Sequence, residues 1–284
     1  MDKNKKQTIN PGLYLVSTPI GNMEDITLRA LNILKKSDII LCEDTRRSGK
    51  LLSHLQIKSK LLPYHKFNEK KISNKIIESI KKNKIVSLIS DAGTPTISDP
   101  GIILVNKCIE ENLNVSPILG PTAATAAVSI SGFSDKYLFY GFLTKKENEL
   151  NNVLKSLRNL DYSIVFFIPA SKINFYISQF KKYFLDRKIL IAKEMTKMHE
   201  EFIRGKVSSI KSLSQNLKGE LTVVLSEKII DKNIKKEIDE SVKIEIKKML
   251  KKYSHKDVVE FISKKEGLQK RIVYNFCLKL NKWA

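Results

Sequence analysis

The sequence predicts an α/β protein: two α/β domains followed by a small helical C-terminal appendage. Three observations carry this. The chain has 284 residues, 42% of them hydrophobic, which is enough to fill two domain-sized cores and excludes a wholly disordered chain. Apolar runs of strand length alternate with stretches of helical spacing through the first half. Past residue 226 the strand-like runs stop and helical periodicity alone continues.

The elements follow in order. Strand-length runs stand at 13–16 (LYLV), 39–42 (IILC), 60–64 (KLLPY), 85–90 (IVSLIS) and 114–119 (NVSPIL). Between them Ile26, Ala30, Ile33 and Leu34, and then Ile72, Ile76, Ile77 and Ile80, recur three and four residues apart. That spacing puts their side chains on one face of a helix. Short apolar strands joined by helices predict a mostly parallel sheet with covered faces, whose ligands sit beyond the carboxyl ends of the strands. Gly132 and Asp135 break the pattern, so the first domain is placed at 1–132. A second α/β domain, 133–230, carries strand candidates at 137–142, 163–168, 188–194, 200–205 and 220–226. Residues 227–240 are charged and read as a linker or frayed helix. The appendage, 231–284, repeats Val258, Val259 and Ile262, then Ile272, Val273, Phe276, Cys277 and Leu280, as in two or three small helices.

With 51 Lys and Arg against 30 Asp and Glu, the net charge is +21. Such a surplus suits an anionic partner. Only seven of the basic residues are Arg, however, and Lys, Ile and Asn are also the surplus of an A·T-rich coding sequence. Charge alone therefore does not decide the partner. Its concentration near the end is more pointed: six Lys oppose one Glu between Val242 and Lys256. The polar first twelve residues show no signal peptide, no apolar run is long enough to span a membrane, and three scattered cysteines fit neither a disulfide framework nor a zinc site. A cytoplasmic protein with no membrane association and no metal is expected.

No two of the eleven glycines are spaced G-x-G, and no G-x-x-x-x-G-K-[ST] occurs. The Rossmann and P-loop readings lose their main support. What remains is a set of loops following strands, rich in small residues and Pro: Ser17–Asn22 (STPIGN), Glu43–Arg47 (EDTRR), Ser90–Gly101 (SDAGTPTISDPG) and Leu119–Ala127 (LGPTAATAA). Small residues let a backbone approach a ligand closely. Each loop singly is also explained by a tight turn or a helix cap, and Asp99-Pro100 reads as an N-cap with Pro at the first helical position. Four such loops on one sheet edge make a ligand cleft the stronger reading.

In their order and spacing these four loops resemble the tetrapyrrole methylase superfamily of S-adenosylmethionine-dependent methyltransferases. Within it they are most similar to the branch that methylates the ribose 2′-hydroxyl of a cytidine in the decoding region of 16S rRNA. Tyr140-Gly141-Phe142-Leu143, Lys193–Lys197 (KEMTK) and Gly219–Val224 (GELTVV) continue the resemblance through the second domain. It departs after the strand at 163–168. Ile168, Ser171 and Lys172 occupy positions where that branch usually has Glu, His and Arg, and Lys193 stands where Arg is usual. Lysine keeps the charge but not the bidentate fork.

The resemblance implies S-adenosylmethionine held in a cleft between two α/β domains of tetrapyrrole methylase type. It implies 16S rRNA or the small ribosomal subunit as partner, and a homodimer. Cofactor contacts are expected from Pro19, Gly21, Asp91, Ala92, Gly93, Thr94, Pro95, Ser98 and Asp99. Gly120, Pro121, Ala123, Ala124, Gly141, Phe142 and Leu143 join them. An alternative for Asp91 is that it only ties its own loop with an Asx-turn. Loss of a hydroxyl proton calls for a nearby base. Asp44 is the first choice, with Arg46 orienting it or contacting phosphate, and Glu43 and Glu194 are the other carboxylates on offer. The competing reading makes Glu43, Asp44 and Arg46 a structural ion-pair cluster. RNA contacts are expected from Arg47, Lys145, Lys146, Lys247, Lys248, Lys251 and Lys252. A tetrapyrrole substrate on the same fold, or an rRNA-binding assembly factor without catalysis, are the alternative functions.

Overall fold

A computed structural model describes residues 9–214, 217–229, 238–266, 268 and 270–281. The chain divides into two compact units at 229/230. The linker expected over 227–240 lies largely outside the described residues, as do most of the first twelve.

All five strands expected in the first half form. They are β1 (Gly12–Val16), β2 (Ile39–Cys42), β3 (Lys60–Pro63), β4 (Ile85–Ile89) and β5 (Val115–Ile118). They pair in parallel in the order β3-β2-β4-β1-β5. Helices α1 (Leu28–Lys36), α2 (Thr45–His54), α3 (Glu69–Lys81) and α4 (Ile102–Glu110) connect them. One face of the sheet packs on Ala30, Ile33, Leu34 and Leu52 from α1 and α2. The other packs on Ile76, Ile77, Ile80, Leu104 and Cys108 from α3 and α4. Local chemistry sets the helix starts: the Thr27 hydroxyl accepts from Ala30 N at 3.1 Å, and Asp44 caps α2 through Arg46 N at 2.8 Å.

The cap expected at Asp99-Pro100 is a correction. Helix α4 starts at Ile102, and Gly101 is its N-terminal flank with φ +135°. A Cβ there would stand 2.6 Å from Leu88 Cδ2 and 2.8 Å from Thr96 Cγ2. The loop folds back on β4 so tightly that only glycine closes it, and the helix begins beyond it.

A second five-stranded sheet follows: β6 (Tyr137–Phe142), β7 (Ser163–Pro169), β8 (Lys188–Lys193), β9 (Glu201–Lys206) and β10 (Glu220–Leu225). Its order is β6-β7-β10-β8-β9, with β6 parallel to β7 and the other pairs antiparallel. Helices α6 (Glu147–Leu157) and α7 (Ile173–Tyr183) cover one face through Leu150, Leu154, Ile177 and Phe180. The opposite face is covered by α5 (Ala123–Ser131), which follows the first sheet in sequence. Ala124 and Ala127 of α5 pack against Val165, Leu190, Ala192 and Val224. Their small size lets α5 lie close to the sheet, which joins the two halves of the unit into one body.

The second unit holds three helices, α8 (Glu240–Met249), α9 (His255–Glu266) and α10 (Lys270–Asn281). Val242, Ile246, Val258, Val259, Ile262, Val273 and Cys277 form its core, on the spacing seen in the sequence. Lys247, Lys248, Lys251 and Lys252 are all exposed.

Candidate functional site

A cleft of about 710 Å³ opens between the two halves of the first unit, within the range usual for a small-molecule site. The loop beyond the carboxyl end of each strand of the first sheet reaches it: Ile20 after β1, Glu43 and Arg47 after β2, Lys66 after β3, Asp91 to Thr94 and Ile97 to Pro100 after β4, Thr122 and Ala123 after β5. The opposite wall comes from Phe142, Phe167 and Ala192 at strand ends, Glu194, Met195 and Lys197 after β8, and Gly219, Glu220 and Thr222 at β10.

The loops are cross-tied. Thr18 N donates to Gly93 O and Gly93 N to Thr18 O, both at 2.9 Å. The Ser17 and Thr94 hydroxyls lie 3.0 Å apart, and the Thr94 hydroxyl donates to Pro121 O at 3.2 Å. The loops after β1, β4 and β5 therefore form one lattice. Asp91 extends it to the loop after β2 by accepting from Asp44 N at 3.3 Å and from Arg47 Nη1 at 3.0 Å. Its carboxylate bonds to a neighbouring loop, so an Asx-turn within its own loop is not the whole of its role.

The halves approach closely at two glycines. A Cβ on Gly21 would stand 2.5 Å from Lys197 Cγ and 2.8 Å from Met195 O. A Cβ on Gly141, whose φ is +82°, would stand 2.9 Å from Ser98 Oγ. Thr96 and Ser98 (both φ 69°), Glu194 (φ 50°) and Thr196 (φ 65°) also hold left-handed backbone. Such strain in non-glycine residues gathers at functional sites, where the surroundings over-determine the conformation.

The expected site residues separate by where the structure places them. Asp91, Ala92, Gly93, Thr94, Ser98, Asp99, Ala123, Phe142, Arg47 and Glu194 line the cleft. Pro19, Gly21, Pro95, Gly120, Pro121 and Gly141 belong to the same loops and strands but are not among the lining residues. Ala124 of α5 and Leu143, just past β6, lie in hydrophobic clusters instead, 5% and 8% exposed. Lys145 and Lys146 are exposed, Lys146 pairing with Glu149 at 3.0 Å. Asp44 and Arg46 are outside the cleft lining. Asp44 uses both carboxylate oxygens on Arg46, at 3.2 and 3.0 Å. The Arg46 side chain, then its backbone N–H, holds the Asp44 carboxyl down to about 2. So weak a base is poorly matched to proton abstraction near neutral pH. The ion-pair reading of Asp44 and Arg46 is the one this geometry favours.

Sequence reasoning gave no role to Lys66, Phe167, Lys197, Gly219 or Glu220. The GELTVV segment was visible as a motif and offered the only advance signal for the last two. Charge supplies a further surprise: five carboxylates and three cations line a cleft in a strongly basic chain. Asp99 is pushed up to about 6, first by burial and then by Glu43, Asp91 and Glu220 around it.

A family model described as tetrapyrrole (corrin/porphyrin) methylases matches residues 12–211. The chain is 46% identical over 219 residues to a ribosomal RNA small subunit methyltransferase I of Thermotoga maritima, covering 76% of this chain and 98% of that one. The protein of that name from Halalkalibacterium halodurans is 32% identical over 269 residues, 93% of both. The chain belongs to the tetrapyrrole methylases, in the ribosomal RNA small subunit methyltransferase I family. Solved structures of the same fold include a diphthine synthase, with a TM-score of 0.61 and 14% identity over 75% of this chain and 89% of that one. Another is a Thermus thermophilus uroporphyrin-III C-methyltransferase complexed with S-adenyl homocysteine (TM-score 0.53, 14% identity, 76% and 97% covered).

For a tetrapyrrole methylase the implied cofactor is S-adenosylmethionine, with a cationic sulfonium and ammonium, a carboxylate and an adenine. The residues present fit it. Crowded carboxylates around Asp99 gain from a bound cation, while Ile20, Ile97, Phe142 and Phe167 give apolar surface. The three residues near the end of β7 at which the sequence departs from the resemblance are placed differently. Ile168 is fully buried in the core of the second sheet, and Ser171 and Lys172 are exposed outside the cleft lining.

Proposed function

We propose that the protein transfers a methyl group from S-adenosylmethionine to the ribose 2′-hydroxyl of a cytidine in the decoding region of 16S rRNA. The observation that carries this is the acidic cleft roofed by all five strand-end loops of the first sheet, in a chain of this family. When bound, the cofactor supplies a methyl group already activated on a sulfonium. Asp91, Gly93, Thr94 and Ala123 would hold it, and Asp99 would face its positive charge. The cross-tied loops fix that geometry in advance, so alignment of the ribose oxygen supplies much of the rate. Of the four residues offered for the chemistry, Glu43 and Glu194 line the cleft; Glu43 crowds Asp99 on the proposed cofactor side, so the base is assigned to Glu194. Its Oε1 accepts from Lys197 Nζ at 3.0 Å, which leaves Oε2 to take the hydroxyl proton.

The exposed lysines of α8 and the turn after it suit phosphate contacts. Three buried thiols without disulfides suit a reducing cytoplasm, and no described helix is long and apolar enough to cross a membrane. Domains at 1–132, 133–230 and 231–284, and a homodimeric assembly, belong to this reading. The test is transfer of labelled methyl to isolated small subunits, followed by nucleoside analysis. Label on a cytidine ribose supports the reading; label on a base, or transfer only to a tetrapyrrole, overturns it.

A further inference from the structure

One pattern occurs on both walls of the cleft. On the first half, Lys66 lines the cleft and the next residue, Phe67, is 98% exposed. On the second half, Lys197 lines the cleft and Met198 is 93% exposed. Single exposed apolar side chains are ordinary; what sets these two apart is that each follows a lysine lining the cleft, one on each wall. Phe67 is also presented rigidly. Asn68 Oδ1 accepts from His65 N at 2.9 Å, Asn68 N and Glu69 N both donate to His65 O at 2.9 Å, and Asn68 Nδ2 donates to Pro63 O at 3.0 Å. Tyr64, buried beneath the turn, bonds the Ser73 hydroxyl at 3.1 Å. The His65 ring meets the Phe67 ring edge-on at 6.0 Å.

Resting on the function proposed above, we propose that Lys66-Phe67 and Lys197-Met198 are the two lips that grip single-stranded RNA at the cleft mouth. Phe67 stacks on a base, Met198 packs against the strand from the other side, and the two lysines meet phosphates. The chemistry asks for this. A ribose inside a helix is sheltered, and proteins that reach single-stranded nucleotides stack their bases on aromatic side chains while cations follow the backbone. Arg47, in the same cleft wall as Lys66, adds a further cation.

The test uses the full chain and a single-stranded cytidine-containing RNA oligonucleotide carrying 2-aminopurine. Phe67→Ala should weaken binding roughly 5- to 100-fold, the range expected for one base stacked on an aromatic ring, and abolish stacking-dependent quenching of the probe. Phe67→Trp should restore both, and Met198→Ala should weaken binding severalfold. Calorimetric affinity for S-adenosylmethionine should be unchanged in all three, since so exposed a side chain supports no core. Unaltered binding and quenching in Phe67→Ala, with wild-type methyl transfer intact, overturns the lips alone. Weakened binding to assembled subunits but not to naked RNA also overturns them, by assigning Phe67 to a ribosomal protein. Wild-type protein that grips and quenches the oligonucleotide yet methylates no small-subunit RNA sinks the functional reading and leaves the lips standing.

Discussion

Asp91 accepts from the Arg47 guanidinium at 3.0 Å and from the backbone of Asp44 at 3.3 Å, so one carboxylate locks the loop after β4 to the start of α2. This joint fixes the part of the cleft where the methyl donor is proposed to lie. Asp91→Asn keeps the shape and removes the charge. It should weaken S-adenosylmethionine binding about tenfold, the scale of one partly exposed charge-assisted hydrogen bond, with the circular dichroism spectrum unchanged. Calorimetric titration reads this directly, and equal affinities would remove Asp91 from the cofactor site.

Asp44 and Glu194 separate by their surroundings. Asp44 is held down to about 2 by Arg46 and serves as a helix cap, a task asparagine performs equally well. Asp44→Asn should keep turnover within about a factor of ten. Glu194→Gln should lower it by about 10²–10⁴, the worth of a positioned base. Single-turnover rates at saturating cofactor distinguish the two, and the reverse ranking would return the proton to Asp44.

Asp99 predicts a pH dependence. Burial and three neighbouring carboxylates raise it to about 6, so below that pH it is mostly neutral. A cationic ligand binds better to the charged form. Affinity for S-adenosylmethionine should therefore rise with pH through about 6 and level off above, falling as much as about tenfold per pH unit below. In Asp99→Asn that dependence should disappear, and titrations at several pH values would show it.

The strands were legible because apolar runs of period-specific length leave few alternatives, and all ten form where expected. The start of α4 was not, because it depends on how close Gly101 comes to Leu88 across the loop, a distance no local pattern encodes. Ala124 and Leu143 share motifs with cleft residues yet face the core. A motif identifies a segment but not which of its side chains points inward once α5 crosses to the second sheet. Lys66 and Glu220 come from separate halves and reach one cleft only through tertiary structure. The acidity of the cleft was hidden for a related reason: a net charge of +21 says nothing of where thirty carboxylates gather.

The lysines of the last unit are proposed to bear on RNA affinity alone. Replacing Lys247, Lys248, Lys251 and Lys252 with Gln should reduce the slope of log affinity against log salt by about 0.7 for each phosphate that is no longer neutralised. Cofactor affinity should stay constant. An unchanged salt slope would make these residues an ordinary solvated face.

The central claim is tested most directly by mass-spectrometric mapping of 16S rRNA from cells with and without the protein. One cytidine in the decoding region should lose its ribose methyl group when the protein is absent and regain it when the gene is restored. An identical set of ribose methyl groups in both cells would contradict it.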